Sequence, residues 1–149
     1  MKKKTNPKIV IAAVIEKDGC ILIARRKQGK QHPGSWEFPG GTLEEGETYE
    51  QCLKRELQEE LAITAEVDNL ICISEYDYTP DFTIRLLAYR VTTISGTFKL
   101  NDHEEIQWVR PKDLANYDFP EADKPIVEKL INESCRSESN FNCVSEKTE

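Results

Sequence analysis

From Thr48 to Leu61 the chain contains neither glycine nor proline, and Leu53, Leu57 and Leu61 recur at the spacing of a helix turn. That pattern predicts an amphipathic helix whose leucine stripe must be buried. Thr48 and Gln51 stand at the spacing of a capping box, so the helix has a defined start. Just before it, residues 28 to 46 are crowded with Gly29, Pro33-Gly34, Pro39-Gly40-Gly41 and Gly46, which reads as a loop. Trp36 and Phe38 are the large apolar side chains able to anchor that loop.

The remaining chain supplies the sheet. Ile9 to Ile15 and Ile21 to Ala24 flank Glu16-Lys17-Asp18-Gly19, whose Asp-Gly step favours a tight hairpin turn. Extended runs are expected at Ala65 to Tyr78 and Phe82 to Thr93, joined by Thr79-Pro80-Asp81, with a short strand at Ile106 to Val109. Pro111 and Asp113 open a turn or short helix. Glu121 to Ile131 reads as a final helix with Pro125 in its first turn and Ile126, Val127, Leu130 and Ile131 on one face. Two helices packed on a mixed or antiparallel sheet give an α+β protein, arranged as an α/β/α sandwich. The folded domain is expected over residues 1–132, with a polar, Ser-rich tail at 133–149 that is expected to be disordered.

Composition narrows the function classes. The chain has 149 residues, enough for one domain with a real core, and a net charge of −7 that disfavours binding to duplex nucleic acid. Cys20, Cys52, Cys72, Cys135 and Cys143 form no C-x-x-C pair, so free thiols are expected rather than a disulfide framework or zinc site. Lys2 to Lys4 and the apolar run Ile9 to Ile15 lack a cleavage site, and no apolar stretch reaches the roughly 18 to 20 residues needed to cross a bilayer. A soluble cytoplasmic protein without a membrane partner is expected, and its oligomeric state stays open.

Glu56, Glu59 and Glu60 occupy positions i, i+3 and i+4 of the helix, so their carboxylates leave it close together. Turning roughly 100° per residue, Glu60 falls about 60° and Glu56 about 100° from the centre of the leucine face. Carboxylates bordering a buried face beside a Gly-rich loop suit a hard, oxygen-ligated cation such as Mg²⁺ or Mn²⁺. Glutamate is also a good helix former, so the spacing by itself fits a solvated helix face equally well.

The segment Gly41 to Ile63 resembles the Nudix signature, G-x5-E-x7-R-E-U-x-E-E-x-G-U with U apolar, at eight of nine defined positions; the departure is Ala62, where the family has Gly. Trp36-Glu-Phe-Pro-Gly-Gly41 and Asp118-Phe-Pro-Glu-Ala-Asp123-Lys-Pro125 extend the resemblance to the MutT-like subgroup and to relatives that prefer cytidine nucleotides, across residues 8 to 132. The resemblance implies a Nudix fold in which Glu56, Glu59, Glu60 and the carbonyl of Gly40 coordinate a divalent metal, while Arg55 and Glu47 join loop to helix by ion pairing. It implies a further ligand from the loop ahead of Trp108, where Asp102 is favoured over Glu104 and Glu105. Glu56 is the first candidate for the general base and Asp102 the second.

Arg26 would contact the nucleotide, Phe38 would line the base pocket, and Asp123 would read the base edge. The alternatives are a solvated charge for Arg26, a core side chain for Phe38 and a cap on the last helix for Asp123. His103, expected to be exposed in a charged loop, is weighed as a general base against a solvated or structural histidine, and His32 carries less weight. The implied activity is metal-dependent hydrolysis of a nucleoside triphosphate to monophosphate and pyrophosphate, on 8-oxo-dGTP or a (d)CTP-like nucleotide, in nucleotide pool sanitation. The alternatives are hydrolysis of another nucleoside diphosphate linked to a moiety X, such as a sugar nucleotide or dinucleoside polyphosphate, and a nucleotide sensor without turnover.

Overall fold

Alternation along the first strand already requires two buried faces. In the computed structural model, which describes residues 6–27 and 34–136, Lys8–Lys17 forms β1 and Cys20–Arg26 forms β2. Asp18 and Gly19 turn between them with positive φ angles of 53° and 80°, the backbone that the Asp-Gly step predicts. Trp36–Glu37 (β3) and Gly40–Thr42 (β4) follow, then the helix Tyr49–Leu61 (α1). The hairpin Thr64–Thr79 (β5) and Phe82–Ser95 (β6) leads to His103–Val109 (β7). Short 3-10 turns at Pro111–Asn116 and Glu121–Asp123 precede the last helix, Lys124–Arg136 (α2).

β1 pairs in parallel with β6 from Lys8↔Ile84 to Ile15↔Val91, and antiparallel with β4 and the start of β2. β2 continues away to pair with β7 and β3, while β5 closes the far edge of β6. The sheet is therefore mixed, with β1 at its centre. Ile11, Ala13 and Ile15 pack on Leu53, Leu57 and Leu61 of α1, whereas Ala12 and Val14 face Ile126, Val127 and Leu130 of α2. A strand buried on both faces reads as an unbroken apolar run, as Ile9 to Ile15 does. The two helices cover opposite faces, which is the expected α/β/α sandwich.

α1 is fixed at both ends. Thr48 and Gln51 form the capping box reciprocally, at 3.0 and 3.1 Å. At the other end Lys99 N, Asn101 N and the Asn101 side chain donate to the carbonyls of Leu61, Glu60 and Glu59, satisfying acceptors that a helix end leaves open. Ala62 ends the helix in the left-handed region, φ 58° and ψ 34°, the conformation for which glycine is the usual choice.

Several features depart from expectation. The stretch read as loop through residue 46 contains β3 and β4, short strands whose register comes from pairing with β2 and β1 rather than from local composition. Trp36 and Phe38 do anchor it, through Tyr117 edge-on at 5.2 Å and Phe119 stacked at 5.2 Å. α2 continues past residue 132 to Arg136, and the tail from 137 lies outside the described residues, as does His32. Cys52 and Cys72 are free thiols, but Cys20 is disulfide-bonded, against the expectation of thiols throughout. Among the described residues, no helix is long and apolar enough to cross a membrane.

Candidate active site

The junction of loop and helix opens onto a cleft of about 900 Å³. Arg26, Phe38, Gly40, Glu56, Glu60 and Asp123 all line it, so the structure gathers these predicted residues around one space. One end is made by β4 and α1. Gly40 pairs with Ala12 so closely that a Cβ there would lie 2.0 Å from the carbonyl oxygen of Ile11. At Gly41 a Cβ would lie within 2.5 Å of the Glu56 carboxylate, so only glycine lets this side chain lie on the loop backbone.

Glu60 is 8% exposed, as its angle from the leucine face implies, and accepts the Gly40 N–H at 3.3 Å. Burial, with the charges of Glu37 and Glu56 behind it, pushes its carboxyl well above the usual carboxylate range. Glu59 points outward, its side chain 59% exposed. Arg55 ties this end together. It holds Glu47 through two bonds at 2.6 and 3.0 Å, reaches the Thr42 carbonyl at 3.2 Å, and pairs with Glu56 at 2.8 Å and Glu59 at 3.3 Å. The Arg55 hydrogen bonds and the Glu44 N–H lower the Glu47 carboxyl to about 2. The predicted ion pair is thus a bidentate clamp between loop and helix.

The other end is aromatic. Phe38 is 4% exposed and both lines the cleft and stacks in the core, so its two alternative readings hold together. The 3-10 turn Glu121–Asp123 is pinned to β5 by the Ser74 hydroxyl donating to the Ala122 carbonyl at 2.7 Å and the Ala122 N–H donating to the Tyr78 hydroxyl at 3.2 Å. Asp123 is thereby held facing inward, accepting the Phe38 N–H. Burial first and the Glu37 charge second push its carboxyl up to about 8, against the opposing effects of the Phe38 N–H and Arg26.

Between the ends stands Glu37, which the sequence reading passed over. Its carboxylate accepts from Arg26 Nη1 at 2.7 Å and lies 2.8 Å from His103 Nε2. A carboxylate set between Trp36 and Phe38, the two side chains that anchor the loop, is the available signal, because it is carried into the core with them. His103 is not exposed, as expected, but 3% exposed, because β7 begins there and pairs it with Arg26 of β2. Asp102 does not line the cleft, although its loop is tied to the end of α1; Glu104 and Glu105 are drawn to Arg25 at 3.4 and 2.9 Å.

Among the described residues, no group of three or more His, Cys, Asp or Glu side chains is gathered in a metal-holding arrangement, Glu56 and Glu59 being turned to Arg55. The donor chemistry nonetheless fits a hard divalent cation. Glu56 and the buried Glu60 offer only oxygen, and their mutual repulsion is what a cation would relieve.

The description "NUDIX domain" fits residues 5–130. The chain is 37% identical over 122 residues to the CTP pyrophosphohydrolase of Escherichia coli K12, covering 82% of this chain and 90% of that protein. It is 34% identical over 122 residues to the 8-oxo-dGTP diphosphatase of the same strain, covering 82% and 94%. Its fold is similar to the solution structure of the E. coli ORF135 protein, with a TM-score of 0.78 at 34% identity over 89% of this chain and 94% of that one. The crystal structure of a MutT NUDIX hydrolase from Burkholderia pseudomallei gives 0.74 at 28% identity, over 84% and 98%. With Gly41, Glu56 and Glu60 of its signature lining one cleft and the family description fitting residues 5–130, the chain belongs to the Nudix family of hydrolases, which act on phosphorus-containing anhydrides.

Proposed function

We propose that this protein is a nucleoside triphosphate pyrophosphohydrolase, releasing monophosphate and pyrophosphate, and that its preferred substrate is a cytidine-type triphosphate. The observation that carries the reading is the layout of the cleft, with carboxylates at one end and a buried aromatic pocket closed by Asp123 at the other. A nucleotide has the same polarity, phosphates at one end and base at the other.

Glu56, Glu60 and the Gly40 carbonyl would hold Mg²⁺ or Mn²⁺, with Glu59 and Asp102 as further candidates. A divalent ion bound there neutralises phosphate oxygens and lowers the pKa of water. Glu56, lying against Gly41, is the residue to accept the proton from the attacking water; Asp102, outside the cleft lining, is the weaker candidate. Arg55 and Glu47 keep the loop in register with α1, and Arg26 offers its guanidinium to phosphate.

The base follows from Asp123. As a neutral acid it donates and accepts side by side, which suits the adjacent N3 acceptor and N4 amino donor of cytosine. As a carboxylate it only accepts, which suits the N1–H and N2–H pair of a guanine, so 8-oxo-dGTP is the second reading. Incubation with Mg²⁺ and CTP, dCTP, 8-oxo-dGTP, dGTP, ADP-ribose and a dinucleoside polyphosphate, beside Glu56→Gln, tests both. Cytidine monophosphate and pyrophosphate as the fastest products, lost in the variant, are expected; turnover of ADP-ribose or the dinucleoside alone would overturn the triphosphate reading. Nucleotide pool sanitation in the cytoplasm is the cellular role that fits.

A further inference from the structure

Glu37, which lines the cleft, and His103, which reaches its carboxylate from β7, are given no task by the chemistry or by the base reading. Glu37 lines the space between its two ends: its charge is felt by Glu60 on one side and by Asp123 on the other. Both of its oxygens are held, Oε1 by Arg26 at 2.7 Å and Oε2 by His103 at 2.8 Å. An ionised carboxylate only accepts, so His103 Nε2 is the donor.

This arrangement is costly. The His103 side chain is 2% exposed, and its Nδ1 has no hydrogen-bond partner among the described residues. A buried polar atom left unpaired opposes folding, and an apolar side chain at the start of β7 would avoid it. What the histidine provides in return is a fixed orientation for Glu37, whose oxygens each keep a further acceptor site once Arg26 and His103 are bound. In a nucleotide spanning the cleft, the group between phosphates and base is the sugar, whose free hydroxyls are donors.

We infer that Glu37 is a specificity-determining residue that accepts a hydrogen bond from a sugar hydroxyl of the nucleotide, and that His103 is the positioning residue that holds it in place. The inference rests on the nucleotide reading of the cleft. It assigns to β7, a strand that supplies no lining residue, a part in substrate selection.

The test compares kcat and KM on CTP, dCTP and 2′,3′-dideoxy-CTP for the full chain, Glu37→Ala, His103→Phe and His103→Gln, with Tm recorded for each. The wild type is expected to lose about tenfold or more in kcat/KM on the dideoxy substrate, as for a charge-assisted hydrogen bond removed. Glu37→Ala should abolish that ratio, His103→Phe should shrink it, and His103→Gln, which retains an N–H donor, should restore part of it. A purely structural His103 would lower Tm and slow all three substrates equally, with the ratio intact, and that result overturns the positioning role. Equal turnover of all three by the wild type overturns the whole inference while leaving the nucleotide reading standing. Failure of the wild type to turn over any nucleotide sinks that reading and the inference with it. Should His103→Phe not fold, the ratios for Glu37→Ala and His103→Gln decide.

Discussion

The two ends of the cleft are built in different ways. The carboxylate end comes almost wholly from one stretch, Gly40 to Glu60, in which a capped helix and a clamped loop set most side chains and pairing with β1 holds β4 in register. The aromatic end collects Phe38 after β3, Tyr78 from β5 and Asp123 from the turn before α2, brought together by core packing and by the hydrogen bonds that pin Ala122 to Ser74 and Tyr78. A site encoded locally keeps its geometry as long as its own segment folds. One assembled from distant segments is set by the sheet, and small shifts there retune it. The carboxylate end is accordingly expected to govern rate and the aromatic end to govern choice.

Substitutions that strike one end at a time test that division. Glu56→Gln is expected to lower kcat by about 10² to 10⁴, the range for loss of a general base, with KM little changed, measured by pyrophosphate release. Arg55→Ala should cost about 10²-fold in kcat, because the loop loses its bidentate hold, and Arg55→Lys should recover little of it. A large change in base preference from either variant would break the comparison.

At the other end, Asp123→Asn should redistribute kcat/KM among cytosine and guanine nucleotides by about 10- to 200-fold while sparing kcat on the preferred one. The same substitution has a stability signature. The folded carboxyl keeps its proton to about pH 8, whereas an unperturbed one releases it near 3.8. The stability associated with this carboxyl is therefore full below about pH 4 and is lost as pH rises toward 8. Tm of the wild type should fall relative to Asp123→Asn across that window, and parallel curves would contradict the buried acid.

The smallest effect belongs to neither end. Ala62→Gly, which relieves a left-handed alanine, should stabilise the fold by roughly 1 kcal/mol in urea titration and leave kcat/KM unchanged.

The same contrast explains what could be read in advance. Glu60 could be placed by counting angles from Leu57, and its burial agrees; the Ala62 terminus was anticipated from the glycine normally found there. Both depend on residues within a few positions of each other. His103 could not be placed, because its surroundings are set by register with Arg26, and nothing in the string Asp102-His-Glu-Glu105 shows that pairing. Asp102 was favoured as a ligand on spacing, but its loop takes its path from bonds to the last carbonyls of α1. Nothing local within Trp36-Glu-Phe-Pro-Gly-Gly41 shows the role of Glu37, since its importance lies in the partners it meets across the sheet.

The central position of β1 has a bearing on how the molecule comes into being. Its parallel neighbour β6 is not complete until residue 95 has been synthesised, and β7, which borders β2, ends at residue 109. Contacts that close such long stretches of chain form late and slowly. During synthesis α1, with its glutamates already in sequence, has to wait without a sheet to lie on, its leucines open to chaperones and to other nascent chains. Chains released before residue 109 are expected to remain protease-sensitive in limited digestion, and those that extend through α2 to become resistant together. Protection appearing already in a fragment ending at Ser95 would show that β1, β5 and β6 form a nucleus of their own.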